Sequence, residues 1–314
     1  MDLYRAHNAP LPLSLTESIM ETRKFGNTDL EVTRLAFGGA RIGFEDVTDD
    51  QVDALLNGLL DNGVTFLDTA ACYDDSEELI GKFVSHRREE YVLASKCGHV
   101  AGDATGEPWT ADTINHSIDR SLRLLKTDRI DLMQLHSCSA EVLKKGEAVE
   151  AVQRAQEAGK VRYLSYSGDG DNALHAIGMG IFATLQTSFN VVDQKARLAV
   201  LPAAVEAGMG IVAKRPIANG ALGKAASPYS YADAYWDRSR AMTVPDGAPK
   251  DGIELALRFT LSHDAIDTAI VGTTKLANAQ ANIASLANGP LDGEVITSLH
   301  EQFDRLGADW NPQT

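Results

Sequence analysis

Four residues in the first half of the chain carry side chains that complement one another: Asp68, Tyr73, Lys96 and His136. Two of them share one stretch, FLDTAACYDDSEELIG (Phe66 to Gly81), which opens like a buried strand and ends like the start of a helix. A phenol with an ordinary pKa near ~10 is a poor acid at neutral pH. A lysine ammonium within hydrogen-bond reach favours the phenolate and is expected to lower that value. An aspartate beside the lysine keeps it protonated and oriented. A histidine facing the phenol can hydrogen-bond a carbonyl oxygen and fix its direction. Such a set protonates a developing alkoxide, which is what reduction of a carbonyl by hydride requires. No side chain donates hydride, so the chemistry also calls for a cofactor. Each residue alone has an ordinary reading as well: a loop anchor, a packed ring or a solvated ammonium.

Bringing the four together needs a scaffold, and the pattern of the chain supplies one. Strands are expected at 34–40, 64–69, 90–96, 129–136, 161–167, 182–190, 210–216 and 267–273. Amphipathic helices alternate with them. The helix at 50–63 puts Val52, Leu55, Leu56, Leu59 and Leu60 on one face, with Gly63 as its C-cap. Another begins near Ser76, and the next starts from the N-cap Thr110 with Ile114, Ile118, Leu122 and Leu125 on one face. Further helical stretches fall at 141–160, 172–180, 194–207, 250–262 and 276–287, and a terminal helix at 292–306. Strand–helix alternation with nearly continuous apolar strands predicts an α/β fold, a (β/α)8 TIM barrel with an extra C-terminal helix. A doubly wound open sheet is the competitor, but AFGGARIGFED after the first strand lacks the G-x-G-x-x-G fingerprint. Barrel chemistry sits at the C-terminal ends of strands. There stand Asp68, Lys96, His136 and Ser167, with Gln186 on the sixth strand and Tyr73 in the loop after the second.

Composition narrows the function further. The 29 basic against 44 acidic residues leave a formal charge of −15, so neither nucleic acid nor a membrane surface is expected as a partner. No apolar run approaches the ~20 residues that span a bilayer, and the first twenty residues, MDLYRAHNAPLPLSLTESIM, lack a signal-peptide pattern. Three cysteines, an odd number, point to reduced thiols and a cytoplasmic location. Cys72, Cys97 and Cys138 flank the four residues, and with His99 they raise the question of a metal. No C-x-x-C spacing exists, and strand alternation turns Cys97 away from Lys96, so no metal is expected. Residues 1–20 read as an N-terminal extension and 21–314 as a single domain.

Beyond spacing, the sequence resembles the aldo-keto reductase superfamily from about Thr22 to about Ala287. RKFGNTDLEVTRLAFGG is similar to that family's N-terminal β-hairpin and first barrel strand, and FLDTAACYDDSEELIG to its signature. LASKCG and IDLMQLHS are similar to its Lys and His strands, GKVRYLSYSG and LQTSFNVVD to its fifth and sixth, all in family order. The resemblance implies a catalytic tetrad of Asp68, Tyr73, Lys96 and His136. Tyr73 is then the proton donor, Lys96 and Asp68 its tuning pair, and His136 the orienting residue. It also implies a nicotinamide cofactor extended across the barrel mouth, its carboxamide held by Ser167 and Gln186.

Several positions depart from the family pattern. The Asn that usually follows the strand-five Ser is Gly168 here, followed by Asp169. Where many members carry a Tyr that stacks on the nicotinamide, this chain reads Ala213-Lys214-Arg215-Pro216, so Lys214 or Arg215 is expected to face the pyrophosphate. The 2′-phosphate region is GTTKLANAQAN, Gly272 to Asn282. The family's frequent Arg falls on Asn278, leaving Lys275 as a point charge and Thr273 and Thr274 as hydrogen-bond donors. NADP(H) is therefore favoured, with NAD(H) the alternative. The long loop 217–249 offers Tyr229, Tyr231, Tyr235 and Trp236 either as a substrate wall or as pins to the barrel, and Trp109 and Trp310 are further wall candidates. The implied activity is hydride transfer between the nicotinamide and the carbonyl of an aldehyde, ketone or sugar. The partner is a small-molecule carbonyl or alcohol. Oxidation of a sugar or other alcohol, a cofactor-binding regulatory subunit with little turnover, and a barrel enzyme of other chemistry are the alternatives.

Overall fold

A computed structural model describes residues 20–311 and 313. Of the expected N-terminal extension, 1–20, all but Met20 lies outside the described residues. A two-stranded antiparallel hairpin comes first, β1 (Thr22–Lys24) with β2 (Glu31–Thr33). Eight parallel strands then close a barrel: β3 (Leu35–Gly38), β4 (Phe66–Asp68), β5 (Val92–Cys97), β6 (Ile130–His136), β7 (Val161–Ser167), β8 (Thr184–Ser188), β9 (Gly210–Lys214) and β10 (Thr268–Val271). Because β10 pairs with β3, the sheet has no free edge.

The hairpin plugs the bottom of the barrel. Phe25 is wholly buried with its ring 5.9 Å from that of Phe66. The Asn27 amide donates to the Gly208 carbonyl at 2.9 Å. Gly26, at φ +55, lies so close to Gly210 that a Cβ would collide with the Gly210 amide nitrogen. Leu30, Val32, Ala36, Ala94, Leu132 and Val212 complete this apolar floor, which leaves only the opposite end free for a site.

Helices pack around the barrel: α1 (Ala40–Phe44), α2 (Asp49–Asp61), α3 (Ser76–Phe83), α4 (Ala111–Leu125), α5 (Ala140–Lys145), α6 (Glu147–Glu157), α7 (Gly170–Gly178), α8 (Val200–Glu206), α9 (Asp233–Ala241), α10 (Gly252–Leu261), α11 (Leu276–Leu286) and α12 (Gly293–Leu306). Local chemistry sets their bounds. Thr48 and Gln51 form a capping box at the start of α2, whose buried stripe is Val52, Leu55, Leu56, Leu59 and Leu60. Gly63, at φ +80, turns the chain away just past its end. Thr110 caps α4 by accepting from the Thr113 amide. α12, the expected terminal helix, buries Val295, Leu299 and Phe303.

Four segments differ from the sequence expectation, the first being the helix expected at 194–207, which splits at Ala199 into a 3-10 turn (Lys195–Leu198) and α8. The stretch 141–160 is not one helix. It breaks at Gly146, which adopts φ +80, and Ser139 caps the first piece. The long loop 217–249 contains α9, which the pattern hides because Tyr235 is its one buried residue. α1 is too short to show any periodicity. No helix among the described residues is long and apolar enough to cross a membrane.

Strand register brings the chemistry to one level. Lys96 lies opposite Gln134, His136 opposite Ser167, and Ser167 opposite Gln186, while Asp68 faces Gly38 and Ala94 on either side.

Candidate active site

Asp68 and Lys96 form the base of the site, each only 1% exposed. Lys96 Nζ donates to Asp68 Oδ2 at 2.6 Å and to the Thr69 carbonyl at 2.8 Å. The other carboxylate oxygen, Oδ1, accepts from Gln134 Nε2 and Gln186 Nε2, both at 2.9 Å. A buried ion pair is tolerable only when its remaining polar atoms are satisfied, and this carboxylate meets that condition on both oxygens. Burial acts against the Lys96 ammonium, but the negative charge of Asp68 and the hydrogen bond to it outweigh burial and hold the Lys96 pKa above the ordinary lysine value. Lys96 is therefore a permanent cation, 4.9 Å from the centre of the Tyr73 ring.

Tyr73 sits on the loop between β4 and α3, and that loop is tied at several points. The Tyr73 amide donates to Ala70 O at 3.0 Å, and the Ser76 amide donates to Tyr73 O at 2.8 Å. Buried Glu77 accepts from Ser95 Oγ at 2.6 Å, and Arg120 links Glu77 to the Ala71 carbonyl. The expectation that Lys96 brings the phenol below its ordinary pKa is corrected here. Burial raises the Tyr73 pKa more than Lys96 lowers it, so the phenol stays protonated in the free protein. A proton donor needs that form, and an alkoxide is basic enough to take the proton from it.

His136 faces Tyr73 edge-on, with ring centres 5.9 Å apart and planes at 82°. Burial, followed by the charges of Lys96, His99, Lys214 and Arg215, pushes its pKa down to about 2. Its imidazole is thus neutral at physiological pH. Next to it lies a wall of rings. His99 is 5.2 Å from His136 and 5.0 Å from Trp109, and Trp109 adopts φ +70 with its ring lying over Gly98, where no Cβ fits. On the other side Phe44, 58% exposed, meets Tyr73 at 5.6 Å. Phe44 escaped the sequence reading. Its signal was an apolar ring just past the end of the first barrel strand.

The residues expected around the cofactor fall into three groups. Ser167 and Gln186 are buried and bonded together, Ser167 Oγ donating to Gln186 Oε1 at 3.1 Å, and Gln186 also supports Asp68 by donating to its Oδ1. Lys214, from the strand-seven departure, pairs with Asp169, the residue after Gly168: Lys214 Nζ lies 2.9 Å from Asp169 Oδ2, and Asp169 Oδ1 accepts from Thr187 Oγ1 and the Ser188 amide. Gly168 has a steric reason, since a Cβ there would lie 2.6 Å from the hydroxyl of buried Tyr166. Arg215, at φ +57, donates to Ser188 Oγ at 2.9 Å, to Tyr231 and to the Gln313 carbonyl.

After β10, Thr273 Oγ1 accepts from the Lys275 amide at 3.1 Å and from Asn278 Nδ2 at 3.2 Å, closing the first turn of α11. Thr274 Oγ1 reaches Glu45 Oε2 at 3.4 Å, Lys275 is exposed, and Asn282 is buried on α11. Arg41, a residue the sequence reading passed over, packs against Gly272 and pairs with Glu45 at 2.6 Å. The expected substrate wall is corrected at Tyr235. Tyr235 is fully buried and donates to Asp193 Oδ2 at 2.8 Å, and Trp236 Nε1 donates to Lys224 O at 3.0 Å. The Tyr235 bond pins the long loop to the barrel, and the Trp236 bond closes within the loop itself.

Similarity to known proteins agrees with this geometry. The sequence profile of the Aldo/keto reductase family matches residues 34–303. The Bacillus subtilis (strain 168) protein named uncharacterized oxidoreductase YqkF is 28% identical over 89% of this chain and 95% of its own length. L-galactose dehydrogenase of Arabidopsis thaliana is 26% identical over 85% of this chain and 88% of its own. Among solved structures, aldo-keto reductase AKR11C1 from Bacillus halodurans (holo form) superposes with a TM-score of 0.79 at 25% identity, covering 90% of this chain and 96% of that one. The closed barrel without a dinucleotide fingerprint agrees with the family profile that runs across it, and the chain belongs to the aldo/keto reductase family of oxidoreductases.

Proposed function

We propose that the protein reduces the carbonyl of an aldehyde, ketone or sugar at the expense of NADPH, with Tyr73 as proton donor. The observation that carries this reading is the buried Lys96–Asp68 pair beneath Tyr73, with the neutral imidazole of His136 edge-on to the same ring. When bound, the nicotinamide supplies the hydride. His136 directs the carbonyl oxygen toward Tyr73, whose hydroxyl gives its proton to that oxygen as negative charge develops there. Lys96 stabilises the phenolate left behind, and Asp68 holds Lys96 in place.

The residues present fit a dinucleotide phosphate. Arg215 has no carboxylate partner among the described residues and offers its guanidinium near the mouth, which suits the pyrophosphate. Gly272, Thr273 and Thr274 lead into α11, and Lys275 stands exposed at its start, which suits a 2′-phosphate. Lys214, neutralised by Asp169, is left to support the nicotinamide end. Ser167, Gln186 and Asn282 complete the proposed cofactor contacts. Free cysteines accord with a cytoplasmic enzyme whose barrel domain spans residues 21–314. Oxidation of a sugar is the second reading, favoured by the similarity to L-galactose dehydrogenase, and it uses the same four residues in reverse.

Fluorescence titration of the purified protein with NADPH and with NADH tests the cofactor assignment. NADPH is expected to bind at least ten-fold tighter, and Lys275→Ala to narrow that gap. Equal or tighter binding of NADH would move the reading to an NAD-linked dehydrogenase, and binding of neither would end it.

A further inference from the structure

The tetrad leaves one nearby group without a role. Cys72 directly precedes Tyr73, and its Sγ lies 3.5 Å from Nδ1 of His136. That thiol is the one hydrogen-bond partner of Nδ1 among the described residues, and Nε2 has no protein partner among them. A neutral imidazole carries a single N–H, and the bond made by one ring nitrogen decides which nitrogen holds it. Only a ring with its proton on Nε2 can donate from that side to a substrate oxygen. With the proton on Nδ1, Nε2 would present a lone pair to the oxygen and repel it.

We propose that Cys72 is a positioning residue that donates Sγ–H to His136 Nδ1 and so fixes the imidazole with its proton on Nε2, as a donor toward the substrate oxygen. The thiol is the right species for this. Burial, opposed by Lys96, raises its pKa, so it stays an S–H donor and is not a thiolate nucleophile. The other two cysteines lie in the buried core and contact no tetrad side chain by hydrogen bond among the described residues. A thiol is a weak donor, so its effect is a bias in tautomer population and not an absolute lock. The catalytic consequence rests on the reductase reading, whereas the ring's tautomer can be measured without any turnover.

The experiment is nitrogen NMR of protein labelled with 15N-histidine, on wild type, Cys72→Ala and Cys72→Ser, beside steady-state carbonyl reduction by the same three proteins. In wild type His136 is expected to show a protonated Nε2 and an unprotonated Nδ1. In Cys72→Ala the two nitrogens should move toward a mixed pattern, with kcat down about ten-fold, a modest part of the ~10²–10⁴-fold that positioned acid–base groups supply, and cofactor affinity unchanged within two-fold. Cys72→Ser, whose hydroxyl also donates, should recover both the ring pattern and most of kcat. A wild-type His136 protonated on Nδ1, or a Cys72→Ala protein with an unaltered ring pattern, would overturn the proposal. The expected ring pattern in a wild type that reduces no carbonyl would uphold the tautomer and overturn the reductase reading instead.

Discussion

Replacing Lys96 with methionine removes an ammonium that pairs with Asp68 in the fold and, on the proposed function, serves the reaction, and the two effects can be separated. Methionine fills nearly the same length, so the loss is mainly of charge and of the bonds to Asp68 Oδ2 and Thr69 O. Asp68, 1% exposed, is then a buried carboxylate with one oxygen unpaired. Removing one partner of a buried pair costs ~3–5 kcal/mol. For a chain of this size that is a fall in melting temperature of roughly 5–10 °C. Asp68→Asn added to Lys96→Met should recover much of that stability. The asparagine carbonyl can still accept from Gln134 and Gln186, and no charge is left unpaired. Turnover should not recover with it, because the phenolate still lacks its cation. We expect both variants to lose at least ~100-fold in kcat, the scale of a positioned acid–base group. Differential scanning calorimetry and NADPH-linked aldehyde reduction read the two effects. A Lys96→Met protein as stable as wild type, or a double variant that regains activity along with stability, would refute the reasoning.

Other consequences can be checked in the same preparations. The rate of carbonyl reduction should be flat from about pH 5 to 9, since His136 is held down to about 2 while Tyr73 and Lys96 titrate above their ordinary values. A limb near neutrality in kcat would contradict those shifts. Gly168→Asn, which restores the residue usual in the family, should destabilise by ~1–3 kcal/mol through overpacking against buried Tyr166, measured by urea unfolding. His300 Nε2 meets His263 Nε2 at 2.9 Å where α12 packs on α10, and burial pushes the His300 pKa down to about 4. A histidine depressed in the folded state contributes stability fully above its unfolded value near ~6.5, and that contribution falls as pH drops toward the folded value. His300→Gln should therefore flatten the acid side of the stability curve, and an unchanged slope would exclude His300 as its source.

Much of this was legible because barrels obey strand-end rules. The apolar stripe of α2 and the strand 161–167 match their expected residues, and Asp68, Lys96 and His136 stand at the ends of successive strands. Periodicity and turn chemistry determine those features locally. What stayed hidden depends on contacts between segments. Asp169 and Lys214 look like two separate losses in sequence and become one ion pair only when β7, β8 and β9 lie side by side. The direction of the Tyr73 shift needs the depth of its burial, which residue types do not report. Tyr235 reads as a wall residue until its partner Asp193 is known to lie behind it.

The central claim is that Tyr73 gives the proton while a bound nicotinamide gives the hydride. It is tested most directly by loading wild type and Tyr73→Phe with NADPH, mixing each with a panel of aldehydes, ketones and aldoses, and following loss of the reduced nicotinamide in a single turnover. Wild type should oxidise one equivalent with at least one carbonyl class, and Tyr73→Phe should bind NADPH as tightly yet leave it reduced. A Tyr73→Phe protein that oxidises NADPH within a few-fold of the wild-type rate would contradict the account.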